Sequence, residues 1–300
     1  MRLLEIVRHS TDVLQAVYED QRAYWSDRGV QIVTVHVEKM KKADRHTLLR
    51  RTLSAPFDVV LIRGIESLRE VASLKPRARI CLDAVSNSDV GDESRLDLWK
   101  LHRVFCYSKS FVAALPEGMQ KSSKIVLMGG PYLPRGLSIP HPGKAETHFG
   151  LLDLYSGAHK VLQNILFTQK QTGWEGQIVT TLRHKSPLVQ TVSDHYEVAE
   201  MSNVLLAPFE TEEHGLPSEG AILAMSFDRG LISTQIGALH STPYNSENYL
   251  IVPKYRPGAW GRAMAVYNRG RTKYEAFPGI ARYNEQEASI ALLSGMSQCQ

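Results

Sequence analysis

The chain has 300 residues, 43% of them hydrophobic, which is room for one large or two medium cores; two is the expectation. Lys and Arg number 35 against 31 for Asp and Glu, so the formal charge of +4 permits an anionic ligand without demanding nucleic acid. Cys81, Cys106 and Cys299 lie too far apart for a disulfide framework or a paired-cysteine metal knuckle, and no apolar run approaches the roughly twenty residues of a membrane span, so a soluble cytoplasmic protein is expected.

The first half alternates short β-branched runs with helical patterns. "LLEIV" precedes an amphipathic segment, "TDVLQAVYEDQRAYWSDRG", that closes at Gly29. Next come the strand-like "VQIVTVHV", a basic helix near Ala43 to Leu53, "FDVVLIRG", a short helix from about Glu66 to Leu74, and "RARICLDAV". A helix around Asp92 to Leu101, "RVFCYS", a short helix and "SKIVLMGG" complete this half. Strands spaced by helices imply βαβ units and a parallel sheet covered on both faces.

Between Gly129 and Lys144 four prolines interrupt the pattern, which reads as a linker. The alternation then resumes with "THFGLLDL", a helix from Ala158 to Lys170, "GQIVTTL", a helix near Pro187 to Val192 and "NVLLAPF". It continues with a helix from Ser218 to Phe227, "GLISTQIG", "NYLIVP" and a helix near Ala259 to Asn268. The expected architecture is α/β: two Rossmann-like doubly wound domains facing each other across a cleft, residues 1–140 and 141–278, with residues 279–300 forming a helix that crosses back to the first domain.

The stretch "NVLLAPFETEEHGLP", followed by "AMSFDRGLISTQIGAL" and "NYLIVP", resembles the donor-binding region of retaining GT-B glycosyltransferases of the family 4, group 1 type, which includes sucrose synthase and many bacterial hexosyltransferases. The likeness runs in order over most of Thr147 to Asn268 and more weakly over the first half, where "RVFCYSKSFVAAL" resembles a strand, serine and helix of that family. Pro208 stands at the family's strand-end proline, Glu212 at its first glutamate, and Gly215, Leu216 and Pro217 at its turn. Glu219 is the candidate second glutamate, with one residue fewer between the pair than the family has. The family's Lys-Gly after the first strand of its second domain is Ser156-Gly157 here, leaving Lys160 one turn on as its substitute. The Gly-rich N-terminal loop is replaced by Arg8, His9 and Ser10.

The resemblance implies transfer of a hexose from a nucleotide-diphosphate sugar, a UDP-sugar first among them, with retention, and without a separate cofactor or a metal. Such chemistry must stabilise a leaving diphosphate, and a helix N-terminus does so with free N–H groups. In "GLPSEG", Gly215 and Gly220 allow close backbone approach and Ser218 is a good N-cap. Glu219 would accept the ribose hydroxyls and Glu212 would contact the sugar, both by the resemblance. Lys160, Arg183 and Lys185 are the candidate phosphate cations. His9 and Asp83, each following a strand of the first domain, are the candidates for handling the acceptor, a glycan, a lipid-linked sugar or a modified DNA base.

Blander readings stand beside these. Glu210, Glu212 and Glu213 form an acidic loop that needs no function, an acid such as Glu219 is favoured in any first helical turn, and Asp83 could cap a turn. "KMKKADRH", Lys39 to His46, is an ordinary solvated face without the aromatics of a single-strand binder. The rival functions are a viral-type glucosyltransferase acting on hydroxymethylated DNA bases, a non-catalytic binding or scaffold protein on the same fold, and a nucleotide-sugar epimerase.

Overall fold

The computed structural model describes residues 1–8, 12–38, 40–64, 67–84, 100–106, 112, 113, 115, 117–127, 147–154, 157–208, 220, 223, 224, 227, 229–234, 249–252, 256, 258–268 and 285–298. Two compact units emerge, one built on Met1–Tyr132 with Tyr283–Gln300, the other on Leu133–Glu212 with Pro217–Arg282. The expected linker lies wholly outside the described residues, and the expected helix from Asp92 to Leu101 does so but for Lys100 and Leu101.

In the first unit, β1 (Arg2–Val7), β2 (Gln31–His36), β3 (Val59–Arg63), β4 (Arg79–Asp83), β5 (Arg103–Cys106) and β6 (Ile125–Leu127) make one parallel sheet ordered β2-β1-β3-β4-β5-β6. The order reverses between β1 and β3, the switch point at which ligands lie in flavodoxin-type sheets. Helix α1 (Asp12–Ser26) ends because Gly29 takes a left-handed φ of 76°. Its inward side chains Val17, Tyr18 and Trp25 pack on Leu3, Val7, Leu61 and Cys81. The opposite face carries α2 (Lys42–Leu53), α3 (Leu68–Ser73) and the short α4 (Glu117–Gln120), whose Leu49, Leu68, Val71 and Met119 cover Leu4, Ile6, Val60 and Ile62.

The second sheet comprises β7 (His148–Leu151), β8 (Gln177–Thr180), β9 (Val189–Thr191), β10 (Val204–Ala207), β11 (Gly230–Ser233) and β12 (Tyr249–Ile251), all parallel, ordered β12-β11-β10-β7-β8-β9. Taken from its first strand, β7, this is the dinucleotide-fold order 3-2-1-4-5-6, with its switch point between β7 and β10. Helix α5 (Ala158–Thr172) closes at Gly173, φ 66°, and packs with α7 (Ala259–Asn268) over Phe149, Leu151, Val204 and Ile232.

The helix expected near Pro187 to Val192 is corrected. Residues 181–188 form an irregular crossover, Val189–Thr191 is the edge strand β9, and helix α6 (His195–Met201) starts only at Asp194. Asp194 accepts the Glu197 N–H at 2.8 Å while Glu197 reaches back to the Ser193 N–H at 2.9 Å, a reciprocal cap readable in "SDHYE". Helix α8 (Glu285–Ser297) belongs to the first unit: Leu292 and Met296 join the α1 core, and Trp25 Nε1 donates to the Ser289 carbonyl at 3.0 Å. Among the described residues no helix is long and apolar enough to cross a membrane.

Candidate active site

In the second unit, the carboxyl ends of β7 and β10 flank the switch point. Leu152 donates to the Leu206 carbonyl at 3.0 Å, keeping the two strand ends side by side, and Pro208 is buried just past β10. After β7 the chain turns through Gly157, the N-cap of α5, which offers no side-chain cap. The first turn of α5 holds no acid and carries Lys160, exposed. A fifteen-residue helix beginning there leaves its first N–H groups and the positive end of its dipole without a side-chain partner from the cap. Beyond β10, Gly220, Leu223 and Ala224 are helical and buried, and Phe227 is buried after them.

The β8–β9 crossover is built to present cations. Leu182 is clamped between Thr180, whose Oγ1 accepts its N–H at 3.3 Å, and Thr191, whose hydroxyl donates to its carbonyl at 3.2 Å. Arg183 and Lys185 follow it, both exposed, while His184 Nδ1 accepts the Ser186 N–H at 3.0 Å and tightens the turn. The Thr181 Oγ1 beside this clamp is buried with no hydrogen-bond partner, a group the sequence reading of Arg183 and Lys185 did not include.

In the first unit the strand ends carry charge of another kind. Arg63, fully buried, donates from Nε to Glu5 Oε1 and from Nη1 to Asp83 Oδ2, each at 2.5 Å, and from Nη2 to Gln21 Oε1 at 2.8 Å. Its guanidinium lies 4.0 Å from the Tyr18 ring centroid and 5.5 Å from that of Trp25. Arg22 and Thr34 each give Glu5 a further hydrogen bond at 2.9 Å. Burial pushes the Glu5 carboxyl up, but Arg63, Arg22 and the Thr34 hydroxyl together hold it below its usual range. On the neighbouring strand, burial and the Asp83 charge push the Cys106 thiol up to about 12, so it stays neutral.

Asp83 therefore stands at the end of β4 as expected, but its Oδ2 is committed to Arg63 and the residue is sealed from solvent. That is a correction to its reading as an acceptor contact: strand alternation turns position 83 inward, under α1, where only a paired carboxylate is tolerated. Nothing local in the sequence marks Glu5 and Arg63 as partners: Glu5 stands inside "LLEIV", and Arg63 lies 58 residues on, near the end of "FDVVLIRG". His9, Glu212, Gly215, Leu216, Pro217, Ser218 and Glu219 lie outside the described residues.

No protein-family model and no curated protein matches the sequence. Solved structures do. Sucrose-phosphate synthase from Thermosynechococcus elongatus aligns over 99% of this chain and 98% of its own, with a TM-score of 0.71 at 13% identity. HepE from Anabaena, solved with UDP, aligns over 99% and 100%, with a TM-score of 0.70 at 8% identity. The chain has the GT-B fold. An α-glucosyltransferase solved with UDP and a 13-mer DNA containing an HMU base shares it as well, over 100% of this chain and 99% of its own, with a TM-score of 0.60 at 8% identity.

Within this GT-B chain the two strand-end sites differ in chemistry. The second unit offers an uncapped helix N-terminus and exposed cations, suited to a phosphate-bearing ligand. The first offers a closed, charge-balanced network of Glu5, Asp83, Arg63 and Arg22, suited to holding strand ends and α1 in place.

Proposed function

We propose that the protein is a glycosyltransferase that moves a hexose from a nucleotide-diphosphate sugar, with UDP as the nucleotide. The observation that carries this reading is the acid-free, uncapped N-terminus of α5 at the switch point of the second sheet, with Lys160 in its first turn. HepE, of the same fold, was solved with UDP, which favours UDP as donor nucleotide.

In this reading the diphosphate sits on the free N–H groups of α5, with Lys160, Arg183 and Lys185 supplying charge. By the resemblance, the "GLPSEG" stretch from Gly215 to Gly220 takes part in holding the donor, Glu219 accepts the ribose hydroxyls, and Glu212 contacts the sugar. Transfer proceeds with retention. The bond between the anomeric carbon and the diphosphate oxygen breaks as the acceptor oxygen attacks the same face, and the acceptor proton passes to the leaving diphosphate. His9, which follows β1 in sequence, handles the acceptor, while Asp83 and Arg63 hold the ends of β3 and β4 together.

The test is a thermal-shift panel of UDP, GDP, ADP, CMP and dTDP and their sugars on wild type, Lys160→Ala/Arg183→Ala and Glu219→Ala. Stabilisation of the wild type by UDP or a UDP-sugar, lost or much reduced in both variants, is the expected result. No shift with any nucleotide sinks the donor-site reading and leaves a scaffold role. Breakdown of the sugar without an acceptor would be tolerable, whereas conversion to an epimer would replace transferase with epimerase.

A second acceptor reading has one observation in its favour: the α-glucosyltransferase of this fold was solved with DNA containing an HMU base. A hydroxymethylated-base acceptor then predicts DNA binding whose logarithm falls linearly with the logarithm of salt concentration. Salt-insensitive or absent binding to a hydroxymethylated duplex removes it in favour of a glycan or lipid-linked acceptor.

A further inference from the structure

At the amino-terminal end of the first sheet, away from the strand ends that form its switch point, the turns following α2 and α3 enclose a pocket of roughly 570 Å³. That volume falls in the range of small-ligand sites, about 300–1,000 Å³. Its apolar lining includes Leu53, Phe57 and Leu74, and its charged lining is Arg50, Lys75 and Arg77. All three cations are exposed, and none forms an ion pair with a described residue. Nearby Arg45, by contrast, is bound to Glu70 at 2.5 Å. No acidic side chain is among the described residues of the lining.

The blander account is that cations gather here because α2 and α3 both present their carbonyl ends. A helix end carries about half an elementary charge at most, so two of them ask for about one compensating cation. Arg50 and Arg51 both stand in the last turn of α2 and meet that need. Lys75 and Arg77, which follow α3, are left in excess. Lys75 also takes a left-handed φ of 47° immediately before Pro76, where a residue preceding proline normally stays extended. The turn bends against local preference at the rim of this pocket.

We propose that this pocket binds an organic phosphate monoester, its phosphate held by Arg50, Lys75 and Arg77 and its apolar body lying on Leu53, Phe57 and Leu74. The inference is independent of the donor-site reading, since none of these residues belongs to the second unit. The ligand is either a soluble phosphate ester or the headgroup of an anionic lipid, and both present the same chemistry.

The probe is n-octyl phosphate, titrated calorimetrically into the full chain, with inorganic phosphate, n-octanol and phosphatidylcholine vesicles carrying phosphatidic acid as parallel arms. Saturable one-site binding of octyl phosphate is expected, with inorganic phosphate and octanol each at least about tenfold weaker, because each lacks one half of the contact. The Arg50→Gln/Lys75→Gln/Arg77→Gln variant should lose at least about tenfold in affinity for octyl phosphate while keeping its unliganded melting temperature. Vesicle capture by wild type and not by this variant assigns the lipid headgroup; octyl phosphate binding without vesicle capture assigns a soluble ester. Unchanged octyl phosphate affinity in the variant, or no saturable binding to wild type, overturns the proposal.

Discussion

The two sheets solve the same problem, a fully buried parallel strand, with different chemistry. The second unit's central strands are apolar: "VLLA" and "HFGL" bury Leu205, Leu206, Phe149 and Leu151, the buried polar groups on its strands, Thr180 and Ser233, are neutral, and its buried cation, Arg229, stands before β11 and donates to the Ala199 and Glu200 carbonyls. The first unit buries formal charge in the middle of its sheet, Glu5 on β1, Arg63 on β3 and Asp83 on β4. A neutral buried hydroxyl asks for one hydrogen bond, whereas a buried ion asks for its counter-ion as well. The first unit is therefore the more brittle to single substitutions, and the second more dependent on steric fit.

The largest effect expected from that contrast is Arg63→Leu, which strands two buried carboxylates. A loss of about 3–5 kcal/mol is expected, confined to the first unit. Urea unfolding followed at two probes should show one transition moved and the other in place; a uniform shift of both would erase the distinction drawn here. The counterpart in the second unit is Gly176→Ala. Gly176 has φ 117°, and a Cβ there would stand 2.0 Å from the Thr147 carbonyl oxygen. Backbone strain and clash together should cost about 2–4 kcal/mol, moving only the second transition.

A smaller effect separates ligand chemistry from stability. Lys160→Ala and Arg183→Ala, both exposed, should leave unliganded stability within about 0.5 kcal/mol of wild type and weaken UDP about tenfold each, read by calorimetry. Removing the α6 cap with Asp194→Ala should cost only about 1 kcal/mol, seen as a small fall in the second unit's melting temperature.

The last prediction concerns pH. Glu5 has its folded pKa held below the unfolded value of 4.5, so its contribution is present above that value and is lost as pH falls through the folded pKa. Acid should therefore unfold the first unit before the second, and Glu5→Gln should flatten the dependence of that unit's stability on pH below 4.5. Cys106 works in the opposite direction. Its folded pKa is raised from 9.0 to about 12, so the stability tied to a neutral thiol is full below 9.0 and declines as pH rises towards 12. Cys106→Ala should lessen the alkaline weakening of the first unit between those limits.

Much of the fold was readable from local pattern. "LLEIV", "FDVVLIRG" and "NVLLAPF" became β1, β3 and β10, and the helix read at Ala259 to Asn268 has those same bounds. The miss at Pro187 to Val192 has a clear cause. A parallel crossover usually takes a dozen or more residues and a helix, whereas residues 181–188 cross from β8 to β9 without one. The reciprocal cap at Asp194 and Glu197 was the local signal that the helix starts later.

The candidate site divides along the same line. Arg183 and Lys185 follow β8 and Lys160 stands in the first turn of α5, positions that chain order alone made legible; their part in binding a donor is the proposal made above. The Glu5–Arg63–Asp83 network was not legible, because its members are 58 and 20 residues apart and only the pairing of β1, β3 and β4 brings them together. Nor was the basic pocket, whose cations come from separate turns that meet only once β3 and β4 pair.

What the sequence determined by itself is the alternation of strand and helix, since hydrophobic period and capping residues act over a few neighbours. The order of the strands was decided only in the tertiary structure, and with it two different switch points, 2-1-3 in the first sheet and 3-2-1-4 in the second. Pairing in a parallel sheet is made between residues distant in sequence, and a charge such as Arg63 acquires its meaning only from the partners that pairing brings to it.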